Sequence, residues 1–313
     1  MKSFTPSTLL ILFTCFALSS CMEFENQELV YSHDAEKDEL RITLRYQGIF
    51  GNINNGHNSQ NDPDDYGTKD KLNQKQIGQL ESVLKEKRAF FFSNWIFEYN
   101  PKSLSEMLES IIKNNVQGKF GQPEKDLIEA LIKNVEVQNI GLYEDNKGRV
   151  CGAQALRIQK FAHILELTNQ VIRRQTKAHI PQMREELEKK IVKNAFSSET
   201  INLIEKKIEE GFSFIQLDGN LLTLQTPMVH ADKERIAESM LQDLPSGARI
   251  DLSGDIISIQ MGGKKEKTTQ IEKKCFDGYL PNARNYLQEN RGQLFLKPKQ
   301  ITTKLRRFLG GKK

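Results

Sequence analysis

The chain has 313 residues, of which 38% are hydrophobic and 27% are charged, and its formal net charge is +4. A chain of this size and composition can bury a core without help from metals or disulfides, and it is not polar enough to remain disordered. The absence of an apolar run of bilayer-spanning length excludes a protein that crosses a membrane several times. The charge is uneven, because residues 264–313 carry fourteen Lys or Arg and only four Asp or Glu.

The first 21 residues have the pattern of an export signal. Lys2 precedes an apolar segment over 9–18 that is too short to span a bilayer and is followed by small residues. The last four residues, Leu18-Ser19-Ser20-Cys21, resemble the bacterial lipobox, the cleavage signal of lipoprotein precursors. The resemblance implies removal of residues 1–20, attachment of diacylglycerol to Cys21 and acylation of the new amine, such as by palmitate.

Ordinary secretion is the alternative to lipid attachment. Ala17-Leu18-Ser19 also fits a small-x-small cleavage rule, which would release a soluble chain that begins at Ser20. Two or three acyl chains would hold the protein firmly in the membrane. Met22 is not the Asp that retains enterobacterial lipoproteins in the inner membrane, so the resemblance favours the outer membrane, with the protein in the cell envelope and its periplasm.

Two cysteines remain after Cys15 leaves with the signal and Cys21 takes up lipid. They are Cys151 and Cys275, and an exported chain enters an oxidising compartment. We therefore predict a disulfide between them. The chain-entropy model gives it roughly 4–5 kcal/mol of stabilisation, because the loop that it closes is long.

The N-terminal half of the mature chain reads as hairpins and amphipathic helices. A short polar tether is predicted at 23–28, and alternating apolar residues predict hairpins over 28–50 and 135–158. Ser103 and Glu106 are predicted to form a capping box at the start of a helix. The other predicted elements are a loop at 51–70, helices at 71–87, 103–112 and 123–132, and a strand at 90–99.

The C-terminal half contains an internal repeat. The pattern I-x-L-x-G-[ND]-[LI]-[LI]-[ST]-[LI]-Q occurs at 215–225 and again at 250–260, and Gly with Asn or Asp suits a tight hairpin turn. A helix between the copies completes a hairpin–helix–hairpin unit over 212–261, by duplication or by convergence. Before it, two highly charged helices are predicted over 161–194, with an interruption at Pro181, and over 198–210.

These elements predict an α+β protein with small antiparallel sheets built from hairpins and packed helices. The predicted units are a signal peptide at 1–20, an N-terminal α+β domain at 21–159, a charged helical arm at 160–211, a C-terminal α+β domain at 212–300 and a basic tail at 301–313.

Short catalytic motifs are missing from the sequence. Neither G-x-S-x-G, H-E-x-x-H, a phosphate-binding loop, G-x-G-x-x-G nor C-x-x-C occurs, which excludes the enzymes that such motifs identify. Ser82 and Lys85 match S-x-x-K, but Ser82 lies mid-way along a polar helix. His163 and Glu166 are one helical turn apart, yet no second ligand pair accompanies them. We predict neither a catalytic site at these residues nor a cofactor.

Two further groups of residues have simple interpretations. Asp62, Asp64 and Asp65 lie on a loop that could hold Ca²⁺, but the EF-hand register fails, and we predict a loop without a metal. An aromatic row along one predicted strand could stack on sugars, but aromatic residues at a spacing of two more often fill a core. That row consists of Phe91, Trp95, Phe97 and Tyr99.

The basic tail is predicted to lie outside the folded core, because Gly310-Gly311 opposes a packed helix there. It is expected to contact anionic lipid or an acidic envelope polymer, whereas nucleic acid is not expected outside the cell. A solvated tail without a partner is the alternative. The residues concerned are Lys304, Arg306, Arg307, Lys312 and Lys313.

Two functions are compatible with these features. The first is a non-catalytic structural, assembly or binding factor of the envelope, held at the membrane through Cys21 and open to a protein partner through the helical arm. The second is an envelope hydrolase that acts on glycan or peptide through an unrecognised site. Carboxylates that converge in a cleft would favour the hydrolase.

Overall fold

The computed structural model describes residues 22–51, 80, 82–83, 85–91, 98–114, 120–188, 196–240, 244–275 and 295–310. These residues form six helices and three mainly antiparallel sheets, so the predicted α+β class is confirmed. Within these residues no helix is both long and apolar enough to cross a membrane.

A six-stranded sheet is the centre of the fold, and both hairpins predicted from alternation lie in it. Its strands, in their order across the sheet, are β11 (Thr269–Lys274), β1 (Met22–Asp34), β2 (Glu39–Gly51), β6 (Val150–Gln159), β5 (Val135–Glu144) and β12 (Phe295–Leu296).

The two ends of this sheet are named for use below. At the proximal end β1 begins, β2 and β11 end, and β5 turns into β6. The opposite end, which carries the β1–β2 turn at 35–38, is the distal end.

The two faces of this sheet are covered differently. One face carries the main core, which includes Leu44, Leu156 and Ile271. On that face the buried Tyr31 hydroxyl lies 2.9 Å from the carbonyl oxygens of both Asn220 and Met261, and so ties the second sheet to the first. The other face carries small residues on β6, which leave room for the C-terminal helix described below.

The tether predicted at 23–28 is wrong, because β1 begins at Met22 and is paired with β2 from its first residue. The polar residues in this segment have partners that make a strand favourable. Gln27 is fully buried and donates to the carbonyl oxygen of Phe90 at 2.7 Å. Glu25 is ion-paired with Arg149. Polar composition therefore concealed a strand whose side chains are satisfied within the fold.

Two helices follow a short hairpin. The single strand predicted at 90–99 is wrong, because two strands, β3 (Ala89–Phe90) and β4 (Glu98–Tyr99), pair antiparallel. Helix α1 (Pro101–Asn114) is capped by the residue before it, Asn100, whose Oδ1 accepts from the Ser103 amide at 3.1 Å. The predicted cap at Ser103 is therefore wrong by one turn. Helix α2 (Gln122–Asn134) has Pro123 in its first turn, as predicted.

The charged helices are α3 (Phe161–Glu188) and α4 (Ser198–Glu209). The predicted interruption at Pro181 is wrong, because α3 continues through it. Apolar residues on both sides of the proline pack with α4, and that burial outweighs the hydrogen bond that proline cannot make. This cluster contains Ile172, Ile180, Ile201, Ile204, Ile208 and Phe214, with Met183 and Leu187 against it.

The repeat folds as predicted into a hairpin–helix–hairpin unit whose sheet has the order β7-β8-β10-β9. The two hairpins share one register, since Ile215 pairs with Leu224 as Ile250 pairs with Ile259. Leu224 and Ile259, equivalent positions of the two copies, pair with each other, so a local two-fold axis relates the hairpins. The elements are β7 (Ile215–Asp218), β8 (Leu221–Pro227), α5 (His230–Met240), β9 (Ala248–Asp251) and β10 (Ile256–Met261).

Candidate anion-binding surface

A packed helix, α6 (Pro298–Phe308), is found where a peripheral tail was predicted. Ile301 and Leu305 are only 1% and 3% exposed. They lie four residues apart, so both face the same side of the helix, and they pack on the small residues Ala153 and Ala155 of β6. The glycines that opposed a helix lie beyond its last turn. Its signal was present in the spacing of Ile301, Leu305 and Phe308 after Pro298.

Two arginines of β2 hold α6 along the sheet. Arg45 donates from Nη2 to the hydroxyl of Thr302 at 3.3 Å, and Arg41 donates from Nη1 to the carbonyl oxygen of Phe308 at 3.4 Å. Arg41 thus supplies a cation at the C-terminus of the helix, where the backbone dipole is negative. Because Arg45 is nearer the proximal end than Arg41, α6 runs from the proximal towards the distal end.

The charged residues on the outward side of α6 are all basic. With Ile301 and Leu305 on the sheet, Lys299, Arg306 and Arg307 face solvent, and Lys297 and Lys304 are also exposed. The helix contains no acidic residue, and none of these five side chains has an acidic partner among the residues described. Lys312 and Lys313 lie outside the described residues. The structure therefore presents three of the predicted basic residues, Lys304, Arg306 and Arg307, on a docked helix whose exposed side suits an extended anion.

The other predicted site residues are either outside the described part of the chain or occupied locally. Cys21, Asp62, Asp64 and Asp65 lie outside it. Ser82 donates to Glu86 at 3.0 Å on an exposed helix, as interpreted from the sequence. Among the described residues no group of three or more His, Cys, Asp or Glu could hold a metal.

The His163 and Glu166 pair does not form a site. Glu166 accepts from Gln170 at 3.1 Å and from Arg173 at 2.8 Å. Those contacts outweigh desolvation, the largest single influence, and hold the pKa of Glu166 below its ordinary value. The carboxylate is therefore bound within its own helix.

The aromatic row is only partly described. Phe91 and Tyr99 pack against the main core, as expected for core residues. Trp95 and Phe97 lie outside the described residues.

The predicted disulfide is absent, because Cys151 and Cys275 are both free thiols. Cys151 packs under α6, whereas Cys275 packs against the main core on the opposite face. Three strand spacings separate β6 from β11, which is about 14 Å, and a disulfide needs Cα atoms within about 7 Å. The number of thiols can be read from composition, but the order of the strands that carry them cannot.

Both thiols should be unreactive in the folded protein. Burial raises the pKa of each to about 11, so thiolate is scarce at neutral pH. We expect Cys151 to resist alkylation until the protein unfolds, and unfolding without reductant to release both thiols, counted by a thiol reagent. Because the folded-state pKa values are raised, stability should fall as the pH rises above about 8.5 towards 11. If the reagent detects neither thiol in the unfolded, unreduced chain, the two cysteines form a disulfide after all.

One pair of carboxylates lies beside the basic surface. Glu28 and Glu272 are direct partners on β1 and β11, and Arg45 lies 3.5 Å from Glu28. Burial raises the pKa of Glu28, the Arg45 guanidinium lowers it, and the Glu272 carboxylate raises it further. A carboxyl group shifted in this way is able to retain a proton, which is the property of a general acid.

Comparison of the chain with protein-family models, with curated proteins and with solved structures gives no match.

Proposed function

We propose that the protein is an exported, lipid-anchored component of a bacterial cell envelope that works as a non-catalytic binding or assembly factor. The observation that carries the proposal is the lipobox at 18–21 behind an apolar segment of ten residues. The outer membrane is the proposed location, and soluble secretion is the competing one.

The start of β1 supports an anchor close to the folded core. Met22, the first residue after the proposed lipid-bearing Cys21, already belongs to the six-stranded sheet. A lipid on Cys21 would therefore hold the proximal end of the sheet at the membrane without a spacer. The basic start of α6, with Lys297 and Lys299, lies at the same end and would face an anionic lipid or polymer. The charged α3–α4 hairpin is the proposed surface for a protein partner.

The lipid anchor has a direct test. When the full chain is expressed in a bacterium with labelled palmitate, the wild type should carry label and sediment with membranes, and Cys21→Ala should do neither. Ser20→Ala is the matched control, because a small residue still precedes the cysteine. Equal labelling of the wild type and Cys21→Ala, or a mature chain that begins at Ser20, would contradict lipid attachment.

A hydrolase remains the second candidate because of Glu28 and Glu272. In that case Glu28→Gln would abolish hydrolysis of an envelope glycan or peptide while leaving the fold intact. The ion pair with Arg45 argues for a structural role, since removal of the carboxylate would leave the half-buried guanidinium without its partner. A loss of thermal stability in Glu28→Gln, with no activity in the parent, supports the structural role.

A further inference from the structure

The exposed basic residues of the sheet are gathered from several elements at its proximal end. Lys147 lies in the turn between β5 and β6, and Lys274 ends β11. Lys297 and Lys299 lie at the start of α6, which follows β12 at the same end. Four exposed lysines from three separate parts of the chain therefore surround the edge at which β1 begins.

Two carboxylates at this end are engaged by a buried arginine. Glu25 and Asp145 are both ion-paired with Arg149, which is only 9% exposed. Glu144 is half-buried. Glu25 and Asp145 therefore direct their charge to Arg149 rather than to the exposed lysines.

The distal end carries charges of both signs. Its β1–β2 turn carries Asp34, Glu36 and Asp38 against one cation, Lys37, which is itself ion-paired with Asp34. The connection that leads into β11 brings the exposed Lys265 and Lys267 to the same end. Roughly 40 Å, the length of a thirteen-residue strand, therefore separates the acidic turn from the start of β1.

We infer that the protein stands on its membrane with the proximal end of the six-stranded sheet against anionic lipid headgroups, contacted by Lys147, Lys274, Lys297 and Lys299. This inference rests on the proposed lipid anchor, because residue 21 directly precedes the same edge. An anchor and a cluster of cations at one end bind the same surface together, and the acidic turn is then directed away from it.

Helix α6 gives the orientation a sharp test, because it carries cations at both of its ends. Lys299 and Arg307 are separated by about 12 Å along the helix. That exceeds the screening length of about 8 Å at physiological salt, so only cations close to the lipid contribute strongly. If the protein stood on the outer side of α6 instead, both ends of the helix would contribute equally.

The experiment compares three double variants of the chain from residue 22 onward, which contains every described strand and helix. They are Lys297→Gln/Lys299→Gln, Arg306→Gln/Arg307→Gln, and Lys265→Gln/Lys267→Gln on the connection that leads into β11 at the distal end. Each removes two exposed charges. Binding to vesicles that contain phosphatidylglycerol, and to phosphatidylcholine vesicles, is measured by sedimentation, with thermal unfolding as the check on folding.

We expect the first variant to lose about thirty-fold in partitioning to anionic vesicles. The second should lose no more than about three-fold, since its cations are screened from the lipid. The third should bind like the parent. Equal losses in the first two variants, binding to neutral vesicles as strong as to anionic ones, or binding only to a soluble acidic polysaccharide would each overturn the inference. Because residue 21 is absent, these results do not depend on lipidation, and a failure of palmitate labelling would refute the anchor alone.

Discussion

Ile301→Ala should lower the free energy of unfolding by about 3 kcal/mol. The side chain is 1% exposed and fills the space between α6 and the small residues of β6, so its loss leaves a cavity. Leu305→Ala should have a similar effect. Urea unfolding followed by circular dichroism measures both.

Thr303→Ala is the control for the helix, because Thr303 lies on the exposed side of α6. It should change stability by less than about 0.5 kcal/mol. If Ile301→Ala were equally mild, α6 would not be docked on the sheet. The C-terminus would then be the peripheral tail expected from its glycines and charges.

Gln154→Leu should lower the free energy of unfolding by about 3–5 kcal/mol, although the side-chain volume changes little. Gln154 is 2% exposed and donates to the carbonyl oxygen of Arg88 at 2.8 Å and to Asn139 at 2.7 Å. It also accepts from the Tyr46 hydroxyl at 2.7 Å. A leucine leaves all three groups buried without that partner.

Two comparisons identify this network as the cause. Gln138→Leu, on the exposed side of β5, should cost less than about 0.5 kcal/mol. Tyr46→Phe together with Gln154→Leu should cost less than the sum of the single changes, because both remove one shared hydrogen bond. Strict additivity in chemical unfolding would mean that the two side chains do not interact.

Local patterns predicted the hairpins and the repeat because their signals are local. Alternation and turn chemistry determine where β1 meets β2 and where β7 meets β8. Each of these features depends on residues close together in the sequence.

The misplaced features depend on distant partners. The polar start of β1 is a strand because Gln27 bonds with Phe90 and Glu25 with Arg149, and neither partner lies nearby in sequence. Helix α6 is buried because two alanines of β6 make room for Ile301. The basic residues of α6 were identified by composition, but the way the helix lies along the sheet follows from strand order. Composition cannot supply that order.

One measurement tests directly whether the proposed anchor and the lysines of the proximal end meet the same membrane. Spin labels at Lys299→Cys and Glu36→Cys, each in lipidated protein with Cys275→Ser, would report their distance from the membrane through relaxation by a paramagnetic lipid. We predict strong relaxation at position 299, at the proximal end, and little at position 36, at the distal end. Equal relaxation at the two positions, or stronger relaxation at position 36, would contradict the account.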